Sequence, residues 1–234
     1  MSTNQPRTTN HQPPTDPTQS FPPLGRVGWV RSVNFLAHLY LSGPEPDVMV
    51  GNFIGDFVRG RDVEKRLGPG VARGVALHRA IDAFTDSHEV VKQSKSRLWP
   101  KYRHYSAVIV DVYYDHYLAA LWDDYSPESL TGFAARSYQV LLEREPVLPE
   151  PVRRMLPHVM GGNWLVNYRH VDGIRRALSG MSRRTTFRSN MEHSADDLTA
   201  HYASFRSDFQ LFFPALETFA KSWLAVSTDP GSRL

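Results

Sequence analysis

His78 and Asp82 stand four residues apart, and so do Asp111 and Asp115. In a helix that spacing puts both side chains on one face, about one turn apart. Groups so placed either bond within the fold or help to hold a divalent cation. Arg79 and Asp86 flank the first pair, and His116 follows the second. Val71, Val75 and Ile81 surround the first, while Val108, Ile109, Val110, Val112 and Tyr113 surround the second, so both helices turn toward a core. A carboxylate in such surroundings must be paired or bound to a cation, because isolated burial of its charge is very costly. Asp56 adds an acid on a third apolar segment, beside Val50, Phe53, Ile54 and Phe57. Packed together, these segments could converge three or four carboxylates and two imidazoles. Hard oxygens with imidazole nitrogen suit Mn²⁺, Mg²⁺, Fe²⁺ or Zn²⁺ and disfavour copper(I) and iron–sulfur chemistry. The chain has no cysteine, which excludes disulfides, thiolate metal sites and a cysteine nucleophile. His38, between Leu36 and Leu39 in an apolar block, reads alone as a core histidine; most other histidines read as surface groups.

The elements that must position these residues show helical periodicity almost throughout. The pattern predicts helices from Pro46 or Asp47 to about Arg59, from Pro69 to Phe84, from Glu89 to Leu98 before Pro100, and from Tyr105 to Trp122. Ser126-Pro127-Glu128 reads as an N-cap, a first-turn proline and a first-turn acid, opening a helix to about Glu143. Further helices are predicted over 151–160, stopped by Gly161-Gly162, and over 171–178, ending at Gly180. Ser194 to Asp197 resembles a capping box that opens a helix to about Phe213, and Pro214 starts a last one to about Ala225. Trp164, Phe209, Phe212, Phe213 and Phe219 fall in helical patterns as core. Strand alternation and internal repeats are absent, so the fold class is all-α, a compact helical bundle.

Residues 1–33 are rich in Pro, Thr, Asn, Gln and Ser and read as a disordered tail. Residues 34–226 form a single all-helical domain, and 227–234 a flexible C-terminus. The net charge of +3 comes from 27 basic and 24 acidic residues. Residues 1–33 hold three of the former and one of the latter, so the remainder is close to neutral and gives no argument for nucleic acid. Arginines cluster locally, at Arg59, Arg61 and Arg66, at Arg153-Arg154, at Arg175-Arg176, and at Arg183-Arg184 with Arg188. Such clusters are solvated faces or a surface for an acidic protein partner. No apolar run is long enough to span a membrane and no export signal precedes the domain, so cytoplasm is the expected location.

Five blocks in order resemble the acyl carrier protein phosphodiesterase family. They are Asn34-Phe-Leu-Ala-His-Leu-Tyr-Leu41, Gly51-Asn-Phe-Ile-Gly-Asp-Phe-Val-Arg-Gly60, Leu77-His-Arg-Ala-Ile-Asp82 with Phe84-Thr-Asp86, Asp111-Val-Tyr-Tyr-Asp-His116, and Asn163-Trp-Leu-Val-Asn-Tyr168 followed by Gly180-Met-Ser-Arg-Arg184. The resemblance runs from Asn34 to about Leu224. It implies hydrolysis of holo-acyl carrier protein, releasing 4'-phosphopantetheine from a serine, with a divalent metal, Mn²⁺ favoured. It also implies an all-helical fold related to the HD-domain phosphohydrolases with rearranged motif order. The adjacent His-Asp dyad of that wider group stands here reversed, as Asp115-His116. Family members start at the methionine of a Met-Asn-Phe-Leu-Ala-His block, and Val33 occupies that position. Residues 1–32 are therefore expected to be a start-site artefact or a dispensable tail.

Under this resemblance the metal ligands are Asp56, His78, Asp82, Asp111 and Asp115, with His38 a further ligand or a partner behind the ligands. His116 protonates the leaving serine oxygen or serves as a ligand. Arg79 sits beside the phosphate, and Arg59, Arg183 and Arg184 bind substrate, as phosphate or as acidic residues of the carrier protein. Two other readings stay open: an HD-like phosphohydrolase acting on a nucleotide or other small phosphodiester, and a non-catalytic helical binding module.

Overall fold

The computed structural model of the chain describes residues 34–226. The expectations for residues 1–33, the start at Val33 and the segment 227–234 lie outside the described residues. Among those residues the secondary structure is helical, with no strand. In chain order the helices are α1 (Phe35–Tyr40), α2 (Pro46–Ile54), α3 (Val63–Leu67), α4 (Pro69–Ser87), α5 (Glu89–Tyr102), α6 (Ser106–Ala120), α7 (Trp122–Tyr125), α8 (Leu130–Glu143), α9 (Glu150–Gly161), α10 (Trp164–Asn167), α11 (Val171–Ser182), α12 (Ser194–Ala200) and α13 (Tyr202–Val226). Short 3-10 turns intervene, one of them Gly55–Phe57 directly after α2. No helix among the described residues is long and apolar enough to cross a membrane.

The packing that matters for the site is α2 laid along α4. Gly51 and Gly74 meet at the crossing: a Cβ on Gly74 would lie 2.2 Å from the Val48 carbonyl oxygen, and one on Gly51 would lie 2.1 Å from that of Val71. Both distances are impossible for a real side chain, so the two glycines set how closely the backbones approach. α1 lies against α2 and α6. α6 is buried nearly all round, from Val108 to Ala119 with Asp111 half-exposed. α13 packs Phe205, Phe209, Phe212, Phe213 and Leu216 inward, against α4, α5 and α6. Burial of these large apolar side chains in one continuous core is what holds the bundle together.

Several boundaries differ from the sequence pattern. α2 stops at Ile54 and tightens into the 3-10 turn instead of reaching Arg59. α5 runs through Pro100 to Tyr102, and α13 runs through Pro214 as one helix. The break comes earlier, between Ala200 and Tyr202. The helix expected after Ser126 begins at Leu130, where the Ser129 hydroxyl accepts the Gly132 N–H at 3.1 Å. Ser194 caps nothing; its hydroxyl donates to the Met191 carbonyl oxygen. α11 continues past Gly180 to Ser182.

Candidate metal centre

Three elements from the first part of the domain meet at one point. α1 brings His38, the 3-10 turn brings Asp56, and α4 brings His78 and Asp82. The i, i+4 spacing works as expected on α4: His78 Nε2 lies 3.3 Å from Asp82 Oδ2. The same nitrogen lies 3.5 Å from Asp56 Oδ1, and His38 Nε2 lies 3.4 Å from Asp82 Oδ1. One donor atom each from His38, His78 and Asp82 falls within a 4.8 Å span. The two imidazoles stack, with centroids 4.0 Å apart. Gly55 makes that placement possible, since a Cβ there would lie 2.2 Å from the His78 ring.

Both rings are buried, yet neither Nε2 makes a hydrogen bond. Each Nδ1 does: His38 Nδ1 lies 2.8 Å from Asn52 Oδ1, and His78 Nδ1 lies 2.8 Å from the Asn52 carbonyl oxygen. Two buried Nε2 atoms therefore face two carboxylates at 3.3–3.5 Å. Buried polar atoms left this way are rare, and a shared cation is one arrangement that would satisfy all four groups at once. Two imidazole nitrogens and two carboxylates fit Mn²⁺, Fe²⁺ or Zn²⁺. The Asp82 side chain is 37% exposed and opens the group to solvent, while Asp56 is mostly covered.

The electrostatics follow from the same four groups. Burial opposes a charge on His78, but Asp56 and Asp82 outweigh it and hold its pKa up to about 10. Burial likewise opposes the charge on Asp82, and the two imidazoles outweigh it, keeping this carboxyl below its ordinary range. His38 moves the other way, lowered by burial and by the charge of His78.

The remaining sequence-predicted residues go elsewhere. Asp115 is fully buried and accepts the Leu36 and Ala37 N–H groups at 3.0 and 2.9 Å. Those are free donors of the first turn of α1, so Asp115 caps α1 across 79 residues of sequence. Both its oxygens are thereby engaged, and burial raises its pKa well above the usual range. Asp111 is half-exposed one turn earlier and stands outside the converging group. His116 is buried with both nitrogens engaged, Nδ1 with the Tyr168 carbonyl oxygen at 2.8 Å and Nε2 with the Tyr202 hydroxyl at 3.0 Å. Asp86 is exposed and pairs with Lys95. Arg79 donates to the carbonyl oxygens of Val58 (3.1 Å) and Gly60 (3.4 Å), tying down the segment after the 3-10 turn. Arg59 is exposed on that segment. Arg183, exposed, and Arg184, half-buried, follow the end of α11, a helix that packs chiefly on the 3-10 turn Met191–His193 and on α12.

Asn52 went unread in the sequence as a member of the site. An asparagine inside an apolar helix carries no spacing signal; only its place in the Gly51-Asn-Phe block marked it.

A family model described as acyl carrier protein phosphodiesterase matches residues 33–216. Among proteins bearing that name, the one from Photorhabdus laumondii is 32% identical to the chain, covering 78% of this chain and 92% of the relative. The one from Enterobacter sp. (strain 638) is 32% identical, over 81% of this chain and 98% of its own length. The one from Escherichia coli O157:H7 is also 32% identical, over 79% and 95%. No solved structure matches the chain.

Proposed function

The chain belongs to the acyl carrier protein phosphodiesterase family, and from that premise we propose that it is a metal-dependent phosphodiester hydrolase releasing 4'-phosphopantetheine from holo-acyl carrier protein. The carrying observation is the pair of unsatisfied Nε2 atoms, of His38 and His78, facing Asp82 and Asp56. His38, His78, Asp82 and Asp56 would hold one divalent ion, Mn²⁺ by family resemblance. The chemistry such an ion supplies is charge neutralisation at the phosphoryl group and activation of water. In the reaction water adds to phosphorus, the bond from phosphorus to the serine oxygen breaks, and that oxygen takes up a proton. The products are free phosphopantetheine and a serine hydroxyl.

The chain's own residues divide the remaining work. Asp82 sits at the exposed edge, where a phosphodiester would approach. Burial of both imidazoles keeps them rigid and limits water around them. Arg79 orders the segment that carries Arg59, so Arg59, exposed three residues after Asp56, would be available to a negatively charged partner. The relation to HD phosphohydrolases belongs to the same proposal and rests on the sequence resemblance alone.

The test is to incubate the protein with holo-acyl carrier protein and Mn²⁺ and follow the carrier by mass spectrometry. Loss of one phosphopantetheine group is expected, and Asp82→Ala should abolish it with helical content intact. An unchanged carrier, with the metal bound, would refute this substrate. Turnover of small nucleotide diesters under the same conditions would then favour the other hydrolase reading.

A further inference from the structure

Asn52 touches both imidazoles with two different oxygens. It is fully buried in the last turn of α2. Its side-chain amide donates from Nδ2 to the His38 carbonyl oxygen at 2.7 Å and to the Ser42 hydroxyl at 3.0 Å. The Ser42 hydroxyl in turn donates to the His38 carbonyl oxygen at 2.6 Å. Turning the amide over would set Oδ1 against that carbonyl, acceptor against acceptor, so the amide has one orientation. Oδ1 therefore faces His38 Nδ1 and can only accept. The main-chain oxygen of Asn52 is among the last-turn carbonyls that a helix leaves without an internal partner, and it accepts from His78 Nδ1. Gly74 lets α4 come close enough: a Cβ there would lie 2.8 Å from the Asn52 nitrogen.

We propose that Asn52 is the positioning residue of the centre, its two oxygens fixing the proton of both His38 and His78 on Nδ1 and so holding both Nε2 atoms as ligands. This inference rests on the metal reading of the same site. One residue thereby couples three helices to one protonation pattern. Without the amide, the His38 ring is free to rotate and to carry its proton on Nε2, which removes it as a ligand.

The experiment uses the full chain with ¹⁵N-labelled histidine and Zn²⁺ as a diamagnetic probe. Ring nitrogen shifts should show protonated Nδ1 and coordinated Nε2 on both His38 and His78. Zinc affinity is then measured by chelator competition. Asn52→Leu should weaken it about 10- to 100-fold and blur the single His38 tautomer. Asn52→Asp keeps an acceptor toward His38 Nδ1 but replaces the donor with a charged oxygen against the His38 carbonyl, so it should lose stability. It should preserve the His38 tautomer and most of the affinity, which a purely structural role for the amide would not predict. Ser42→Ala, which leaves the His38–Asn52 bond intact, should change affinity by less than about threefold if that bond is what matters. Coordination through Nδ1, or an Nε2–H on either histidine of the zinc-loaded wild-type protein, would overturn the proposal whether or not Asn52→Leu folds. Wild-type affinity in Asn52→Leu would overturn it while leaving the metal reading standing. No zinc binding by the wild-type protein would overturn the metal reading itself.

Discussion

At the scale of single residues, the proposed cation would compete with a proton for one place. Asp56 and Asp82 hold His78 protonated up to about pH 10, with His38 the other group facing it. A bound cation must displace that proton. Apparent Mn²⁺ affinity should therefore rise about tenfold per pH unit between pH 6.5 and 8.5, with close to one proton released per ion. Calorimetry in buffers of different ionisation enthalpy measures both. A flat affinity would mean that His78 is not a ligand. The stability of the metal-free protein runs oppositely. A raised histidine pKa contributes stability fully present below about pH 6.5 and lost as pH rises toward 10. Asp115 and Asp82 separate by the same logic. Asp115→Ala removes the cap of α1 and should cost about 1–3 kcal/mol in denaturant unfolding. At temperatures where it is folded it should still bind metal. Asp82→Ala should fold and lose the metal. The sequence could not separate these two acids: each sits at i+4 from a polar partner on an apolar helix, and that pattern fits a ligand and a buried cap equally well. His38 was read as a core residue when taken alone, because the Asn52 amide that orients it lies on another helix.

At the scale of elements, the site depends on how closely α2 approaches α4. Gly55→Ala would push a methyl into the His78 ring, whereas Gly51→Ala and Gly74→Ala would push one into opposing backbone. Backbone cannot rotate away, so each of the latter should lose about 1–3 kcal/mol of stability. Gly55→Ala can be relieved by turning His78 out of line, so its main effect should be on metal affinity, with a smaller loss of stability. Parallel thermal melts and zinc titrations compare the three. Equal stability losses and equal affinities would show that the crossing is more pliable than these distances imply. The existence of the long helices was legible from 3.6-residue periodicity, and α4 and α6 fall within a few residues of where it put them. Their ends were less legible. Pro100 and Pro214 read as punctuation, yet burial of Leu98 and Tyr102, and of Phe212, Phe213 and Leu216, carries each helix past its proline. Ser126-Pro127-Glu128 had the composition of a helix start, but the turn closes first and Ser129 takes the capping position.

At the scale of the whole molecule, the centre draws all four of its side chains from residues 38–82, and the rest of the described chain buttresses them. α13 holds α4 and α5 from behind, and α6 holds α1 through Asp115. A ligand that binds only the folded state at 100 times its dissociation constant adds about 2.7 kcal/mol. For a domain of this length that raises Tm by about 5–10 °C. Hydrogen exchange should place the added protection on α1, α2 and α4 first, with α8 to α10 little changed. Uniform protection would mean that the bundle opens only as a unit. Charge follows the same geography. The described domain is close to neutral overall, yet Arg59, Arg61, Lys65 and Arg66 are all exposed on the stretch after Asp56, which Arg79 ties to α4. An acidic carrier protein docking there would meet positive charge within a few residues of the centre, and the attraction would be screened by salt. Arg59→Glu should therefore raise KM for holo-acyl carrier protein several-fold and flatten its dependence on ionic strength. Zinc affinity should stay as in the wild-type protein, because Arg59 lies outside the converging ligands. A KM unchanged by the reversal would move the docking surface elsewhere, and the arginines after α11 would be the next to reverse.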